Sequence, residues 1–118
     1  MSNNGFYINI EKETIGNRFY RKVLYTTDQL QLVLMSLEPG QEIGMESHSD
    51  TTQFIRIEKG VGKAIIGNHQ VTLTDGVAVM IPAGKNHNII NTGKKKMKLY
   101  TLYSPPEHAP GTKMETKP

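Results

Sequence analysis

Turn signals recur too often along this chain for it to hold a long helix. Pro39-Gly40, Gly60, Gly62, Gly67-Asn68, Asp75-Gly76, Pro82-Ala83-Gly84 and Thr92-Gly93 cut its central part into short runs. Glycine and proline at that spacing end helices and strands alike. Inside the runs the pattern is mostly of period two, and no stretch keeps an i, i+3, i+4, i+7 repeat over several turns. The candidate strands are 18–26, 30–37, 42–48, 53–59, 62–66, 69–73, 77–81, 87–91 and 98–103. Gly67-Asn68 supplies the two-residue link that a tight hairpin needs. About nine short strands in roughly a hundred residues predict an all-β domain with short or no helices, either a sandwich, a jelly roll or a barrel.

A chain of 118 residues fits one domain and can hide about two thirds of its unfolded surface. Residues 1–17 are polar and mixed and read as a leader that can add an edge strand, residues 18–104 as the barrel, and residues 105–118 as a tail. Pro105, Pro106 and Pro110 bar the tail from a central strand because proline brings no ladder donor, so it is expected to wrap over the surface or stay loose.

The absence of cysteine excludes disulfides, thiolate metal sites and thiol nucleophiles, leaving His, carboxylate, amide, hydroxyl and Lys groups for any chemistry. The net charge of +3 is concentrated in Lys94, Lys95, Lys96 and Lys98 and in the tail residues Lys113 and Lys117. That cluster has neither interleaved aromatics nor a docking helix, so it reads as a solvated loop and no nucleic-acid partner is expected. Ser2, Asn3, Asn4 and Gly5 form neither a basic nor an apolar leader, and the longest apolar run, 77–81, cannot span a bilayer. The expectation is a cytoplasmic protein with no membrane partner.

The histidines stand at 48, 69, 87 and 108 in different settings. In an extended segment Glu46 and His48, two residues apart, leave the same face. Gln53 shares a strand face with Ile55 and Ile57, so its amide points inward and needs a partner; an unsatisfied buried amide costs about 1–3 kcal/mol. His87 follows the turn at 82–86 and shares a face with Ile89 and Asn91. His69, just after Gly67-Asn68, and His108 are expected at the surface, although Glu107 and His108 could reach a barrel mouth or a neighbouring subunit. No separate general base stands out; Tyr100 and Tyr103 are candidates only through their place on a barrel strand.

Two segments in order resemble the paired motifs of the cupins. The first cupin motif runs Gly, five residues, His-x-His, three or four residues, Glu, six residues, Gly; here Gly40, Glu46, His48, Gln53 and Gly60 keep the spacing. The second runs Gly, five residues, Pro-x-Gly, two residues, His, three residues, Asn, and is met without departure by Gly76, Pro82, Gly84, His87 and Asn91. The resemblance implies a single jelly-roll β-barrel with one divalent metal ion held by Glu46, His48, Gln53 and His87. Relative to the family, the first His is Glu and the Glu is Gln, which moves the carboxylate across the site and preserves the ligand charge. Two imidazoles and a carboxylate suit Fe(II), Mn(II), Ni(II), Co(II) or Zn(II).

The resemblance further implies a small metal-dependent enzyme acting on a sugar, a keto acid or another oxygen-rich molecule, by isomerase, dioxygenase or lyase chemistry. The alternative is a non-catalytic module that binds or senses a sugar-like ligand with structural metal or none. A DNA-binding regulator would need an added helical domain for which there is no room. Residues 53–60 and 99–108 resemble small bacterial cupins labelled as related to mannose-6-phosphate isomerase, a label that reflects fold rather than reaction. Small cupins commonly pair through edge strands, so a homodimer is expected, with the leader able to cross to the neighbour.

Overall fold

The computed structural model describes residues 4–118; residues 1–3 of the expected leader lie outside the described residues. A short helix, α1 (Ile10–Gly16), precedes the strands β1 (Arg21–Thr26), β2 (Gln31–Leu37), β3 (Thr52–Lys59), β4 (Gly62–Ile66), β5 (His69–Leu73), β6 (Ala78–Ile81), β7 (His87–Asn91), β8 (Met97–Ser104) and β9 (Lys113–Met114). A six-stranded sheet has the order β6-β3-β8-β2-β1-β9 and a three-stranded sheet the order β5-β4-β7. The strand pairings among the described residues are antiparallel. The two sheets close around one core in which Val33, Met35, Ile55 and Leu99 of the large sheet cluster with Ala64 and Ile89 of the small one. Each large buried aliphatic side chain there contributes about 1.5–3 kcal/mol through removal from water.

Period two is clear on the first half of β3 and weaker on β7, where Asn88 is buried as well. On β3, Gln53, Ile55 and Ile57 are buried while Thr52 is exposed and Phe54 and Arg56 only half-buried. On β7, His87, Ile89 and Asn91 are buried. Asn91 has a structural role there: its amide donates to the Leu37 and Lys95 carbonyls and its oxygen accepts the Gly93 amide.

Two expectations are corrected. Residues 10–16 of the leader form a helix, not an edge strand: the Asn9 side chain caps it by accepting the Lys12 amide, and Glu11 and Glu13 sit in the first turn, where the helix dipole favours negative charge. The segment 42–48 is not a strand; it touches β7 at two isolated bridges, Glu42 with Ile90 and Glu46 with His87. Gly44 breaks the ladder between them with φ of +108°, and its amide goes to the Asn88 side chain at 2.8 Å instead of to a neighbouring backbone.

Of the two courses open to the tail, wrapping or staying loose, the structure has the first. β9 pairs with β1, the Val23 amide donates to the Thr112 carbonyl and the Tyr20 amide to the Glu115 carbonyl. No described helix is long and apolar enough to cross a membrane.

Candidate metal centre

Backbone hydrogen bonds fix the two chain segments that carry the donors. Glu46 and His87 exchange a pair of amide–carbonyl bonds, each 2.9 Å long, so their side chains start from directly opposed positions. One turn away the Gly84 amide donates to the His48 carbonyl at 2.8 Å. Gly84 has φ of +83°, a conformation that L side chains rarely adopt. The turn before β7 is thereby tied to His48, and both histidines are held from the same place.

Glu46, His48 and His87 each present one ligand atom, and these atoms lie within 4.8 Å of one another. Glu46 Oε1 is 3.4 Å from His48 Nε2 and 3.6 Å from His87 Nε2. The imidazole rings are tilted against each other with centroids 5.3 Å apart. His87 Nδ1 is 2.9 Å from the Lys85 carbonyl, which cannot donate, so Nδ1 carries the proton and Nε2 keeps its lone pair in neutral His87. His48 Nδ1 faces Glu107 Oε2 at 3.3 Å, so each nitrogen of that ring meets a carboxylate oxygen.

These residues fit a divalent metal. Both Nε2 atoms are buried and without a hydrogen-bond partner, as is Gln53 Oε1. Unpaired buried polar atoms cost free energy, and the two Nε2 atoms that converge on Glu46 Oε1 are what a bound cation would satisfy. With metal–ligand bonds of about 2.0–2.2 Å, neighbouring donor atoms around one ion lie roughly 2.9–3.5 Å apart, close to the spacing found.

The electrostatics of the group run in the same direction. Burial alone would raise the Glu46 carboxyl, but the His87 and His48 imidazoles and the Arg21 guanidinium outweigh it and hold the carboxyl below its ordinary range. Burial alone would lower His87, but the Glu46 carboxylate and the Lys85 carbonyl outweigh it and hold the imidazole above its ordinary value. Glu46 is thus ionised at neutral pH and ready to serve as an anionic donor.

Gln53 lies on β3 opposite Tyr103 and donates through Nε2 to Thr101 Oγ1 at 3.0 Å, leaving Oε1 free. Tyr103 is buried, its ring edge-on to His48 at 5.8 Å. Burial pushes its hydroxyl pKa well up, so it stays protonated and cannot act as a base at neutral pH. Tyr100 is outside the site, on the other face of β8 against Phe54. His69 is exposed, as expected.

His108 is not at the surface. Its ring packs edge-on to Tyr103 at 5.2 Å, and its Nε2 is buried without a partner. Burial and the Arg21 charge pull its pKa down to about 4, so it is neutral at physiological pH. Arg21 carried no expectation of a role. Its guanidinium stacks over Tyr20 at 5.2 Å, one of its terminal nitrogens meets Met114 Sδ at 3.8 Å, and its Nε is buried and unpaired. The available signal was its place two residues before Val23, a core residue on the same strand.

Comparison with known proteins agrees with this fold and motif pair. Residues 33–103 match the family model described as a cupin domain. The chain is 46% identical over 113 residues to the uncharacterized protein L612 of Acanthamoeba polyphaga mimivirus, covering 92% of this chain and 71% of that protein. It is 43% identical over 118 residues to the uncharacterized protein YrkC of Bacillus subtilis strain 168, covering 95% of this chain and 63% of YrkC. The crystal structure of BH2720 from Bacillus halodurans superposes with a TM-score of 0.93 at 43% identity, covering 96% of this chain and 90% of that one. The chain belongs to the cupin family.

Proposed function

We propose that this cupin binds one divalent metal ion through Glu46, His48 and His87, with Gln53 as a fourth donor or as the partner of a metal-bound water, and that it is a metal-dependent enzyme acting on a small oxygen-rich molecule. The observation that carries the reading is the convergence of two unpartnered imidazole nitrogens on one ionised carboxylate oxygen. When bound, the metal would supply Lewis-acid activation of a carbonyl or hydroxyl oxygen. The chain's own residues would hold the ion and present neutral His108 and protonated Tyr103 as hydrogen-bonding groups nearby.

Arg21 narrows the choice of ligand. Among the described residues no carboxylate oxygen lies within 4.0 Å of its guanidinium. A half-buried unpaired cation is costly, and its charge is felt at Glu46, Tyr103 and His108. A keto acid or other carboxylate fits that environment better than a neutral sugar. Isomerase, dioxygenase and lyase chemistry are each compatible with the donor set; the likeness to proteins labelled as related to mannose-6-phosphate isomerase supports the first by association only.

A second reading is a ligand-binding module without turnover, which the replacement of the family's Glu by Gln53 favours. We place the protein in the cytoplasm as a homodimer; Met80 on edge strand β6 and Tyr7 in the leader are exposed apolar residues suited to such a contact.

Metal analysis of protein purified without chelator tests the proposal, together with unfolding temperatures in the presence of Mn, Fe, Ni, Co or Zn. About one equivalent of metal and a raised unfolding temperature are expected. No metal, and no response to any of the five, sinks it.

A further inference from the structure

The start of the tail is held at the barrel in a way that its sequence does not announce. Gln31 on β2 is fully buried, and its amide oxygen accepts the Glu107 and His108 amides at 3.2 and 3.0 Å. Its amide nitrogen donates to the His108 carbonyl at 2.6 Å and to Thr26 Oγ1 at 3.0 Å. Every donor and acceptor of that side chain is in use. Three of the four bonds clamp the backbone of two consecutive tail residues.

The clamp delivers two side chains to the metal centre. Glu107 Oε2 stands 3.3 Å from His48 Nδ1, with the imidazole buried and the carboxylate about one third exposed. The His108 ring lies against Tyr103, which in turn lies against His48. A carboxylate on the outer nitrogen of a metal-binding histidine fixes its tautomer and ring orientation and makes the inner nitrogen a better donor.

We infer that residues 105–109 are a working part of the metal centre: Gln31 clamps them so that Glu107 holds the His48 ring with Nδ1 outward and Nε2 turned toward Glu46. Glu107 and Gln31 are positioning residues, since neither need touch the ion. The inference rests on the metal reading for its effect on affinity, but the positioning of His48 exists in metal-free protein and can be read there. It also makes metal binding and tail order reciprocal: the ion stabilises the clamped tail by as much as the clamp strengthens binding.

The experiment compares the full chain with Glu107→Ala, Glu107→Gln and Gln31→Met. In metal-free protein, imidazole NMR should show the His48 Nδ1 proton hydrogen-bonded and slow to exchange, and that protection lost in Glu107→Ala. Mn(II) and Co(II) affinities should fall about 10–100-fold in Glu107→Ala and less in Glu107→Gln, whose amide oxygen still accepts the Nδ1 proton. Gln31→Met should lower affinity several-fold while leaving all metal donors in the chain. An unchanged His48 Nδ1 proton in Glu107→Ala overturns the inference whether or not metal binds. A changed proton with unchanged affinity overturns its metal half. Failure of the wild-type chain to take up metal counts against the proposed function, and the Nδ1 proton then decides the positioning alone.

Discussion

Glu46 and His87 meet twice, once through a reciprocal pair of 2.9 Å backbone hydrogen bonds and again where Glu46 Oε1 approaches His87 Nε2 to 3.6 Å. The carboxylate is therefore anchored at its own residue, and its distance to the imidazole does not depend on a flexible loop. Glu46→Gln keeps that backbone contact and removes the charge. Metal content measured by mass spectrometry should fall by at least about tenfold, the scale of losing one supporting interaction at such a site, and His87→Ala should abolish it. Retention of a full equivalent in both variants would remove these residues from the ligand set.

Protons and metal compete for His87. Its pKa is held above the ordinary histidine value in metal-free protein, so metal affinity should begin to weaken as pH falls from above about 6.5, earlier than a free imidazole would predict. The same shifts have opposite consequences for folding. A raised His87 contributes stability that is complete below its unfolded pKa and is lost as pH rises through the folded value. A lowered Glu46 contributes stability that is present above its unfolded pKa and is lost as pH falls through the folded value. Titrations of metal affinity at about pH 5.5, 6.5 and 7.5, bracketing the ordinary histidine value, check the first statement; a flat profile would contradict it.

His108 gives an acid sensitivity of separate origin. Its folded pKa is about 4, so between the unfolded value of about 6.5 and that folded value the unfolded chain binds the extra proton, and stability falls as pH falls through that window. His108→Asn should flatten the dependence in denaturant unfolding of metal-free protein carried out above, within and near the bottom of the window. An equally steep loss in the variant would assign the sensitivity to other groups.

The motif pair was legible because its residues act locally. The alternation of Gln53, Ile55 and Ile57 sets an inward face on β3 whatever surrounds it, and Pro82, Gly84 and His87 form a turn that carries its own geometry. The irregularity of 42–48 was not legible, since the Gly44 amide is diverted to Asn88, 44 residues on. That Glu107 and His108 could reach a barrel mouth was legible, but what draws them in was not: Gln31 lies 76 and 77 positions away. Arg21 shares the strand period of Val23, but its neighbour Met114 comes from β9, 93 residues on. Periodicity reports which way a side chain leaves the backbone, but not what a distant segment later places over it.

Arg21 offers a test that separates fold stability from ligand choice. Arg21→Met removes an unpaired, half-buried cation and keeps an unbranched side chain beside Tyr20 and Met114. Replacing such a charge by an apolar residue is often neutral or stabilising, so the metal-free unfolding temperature should hold or rise. Binding of pyruvate to the metal-loaded protein, followed by calorimetry, should weaken by about tenfold or more, as expected for loss of a charge-assisted contact. Equal binding by wild type and variant would show that the guanidinium does not meet the ligand.

Gln53 decides how far this site departs from the family's pattern, and Gln53→Glu restores the carboxylate at that position. In metal-free protein the new carboxyl would be buried, which opposes its ionisation. Thr101 Oγ1 supplies only one compensating hydrogen-bond partner. The unfolding temperature without metal should therefore drop. A divalent ion reverses the sign, because the second anionic donor then meets a positive charge. The temperature increment on adding Mn(II) or Co(II) should be larger for Gln53→Glu than for the wild-type chain, even though the variant starts lower. If Gln53 does not face the ion, the variant will lose stability equally with and without metal. The difference between those two increments measures whether the fourth position belongs to the metal centre.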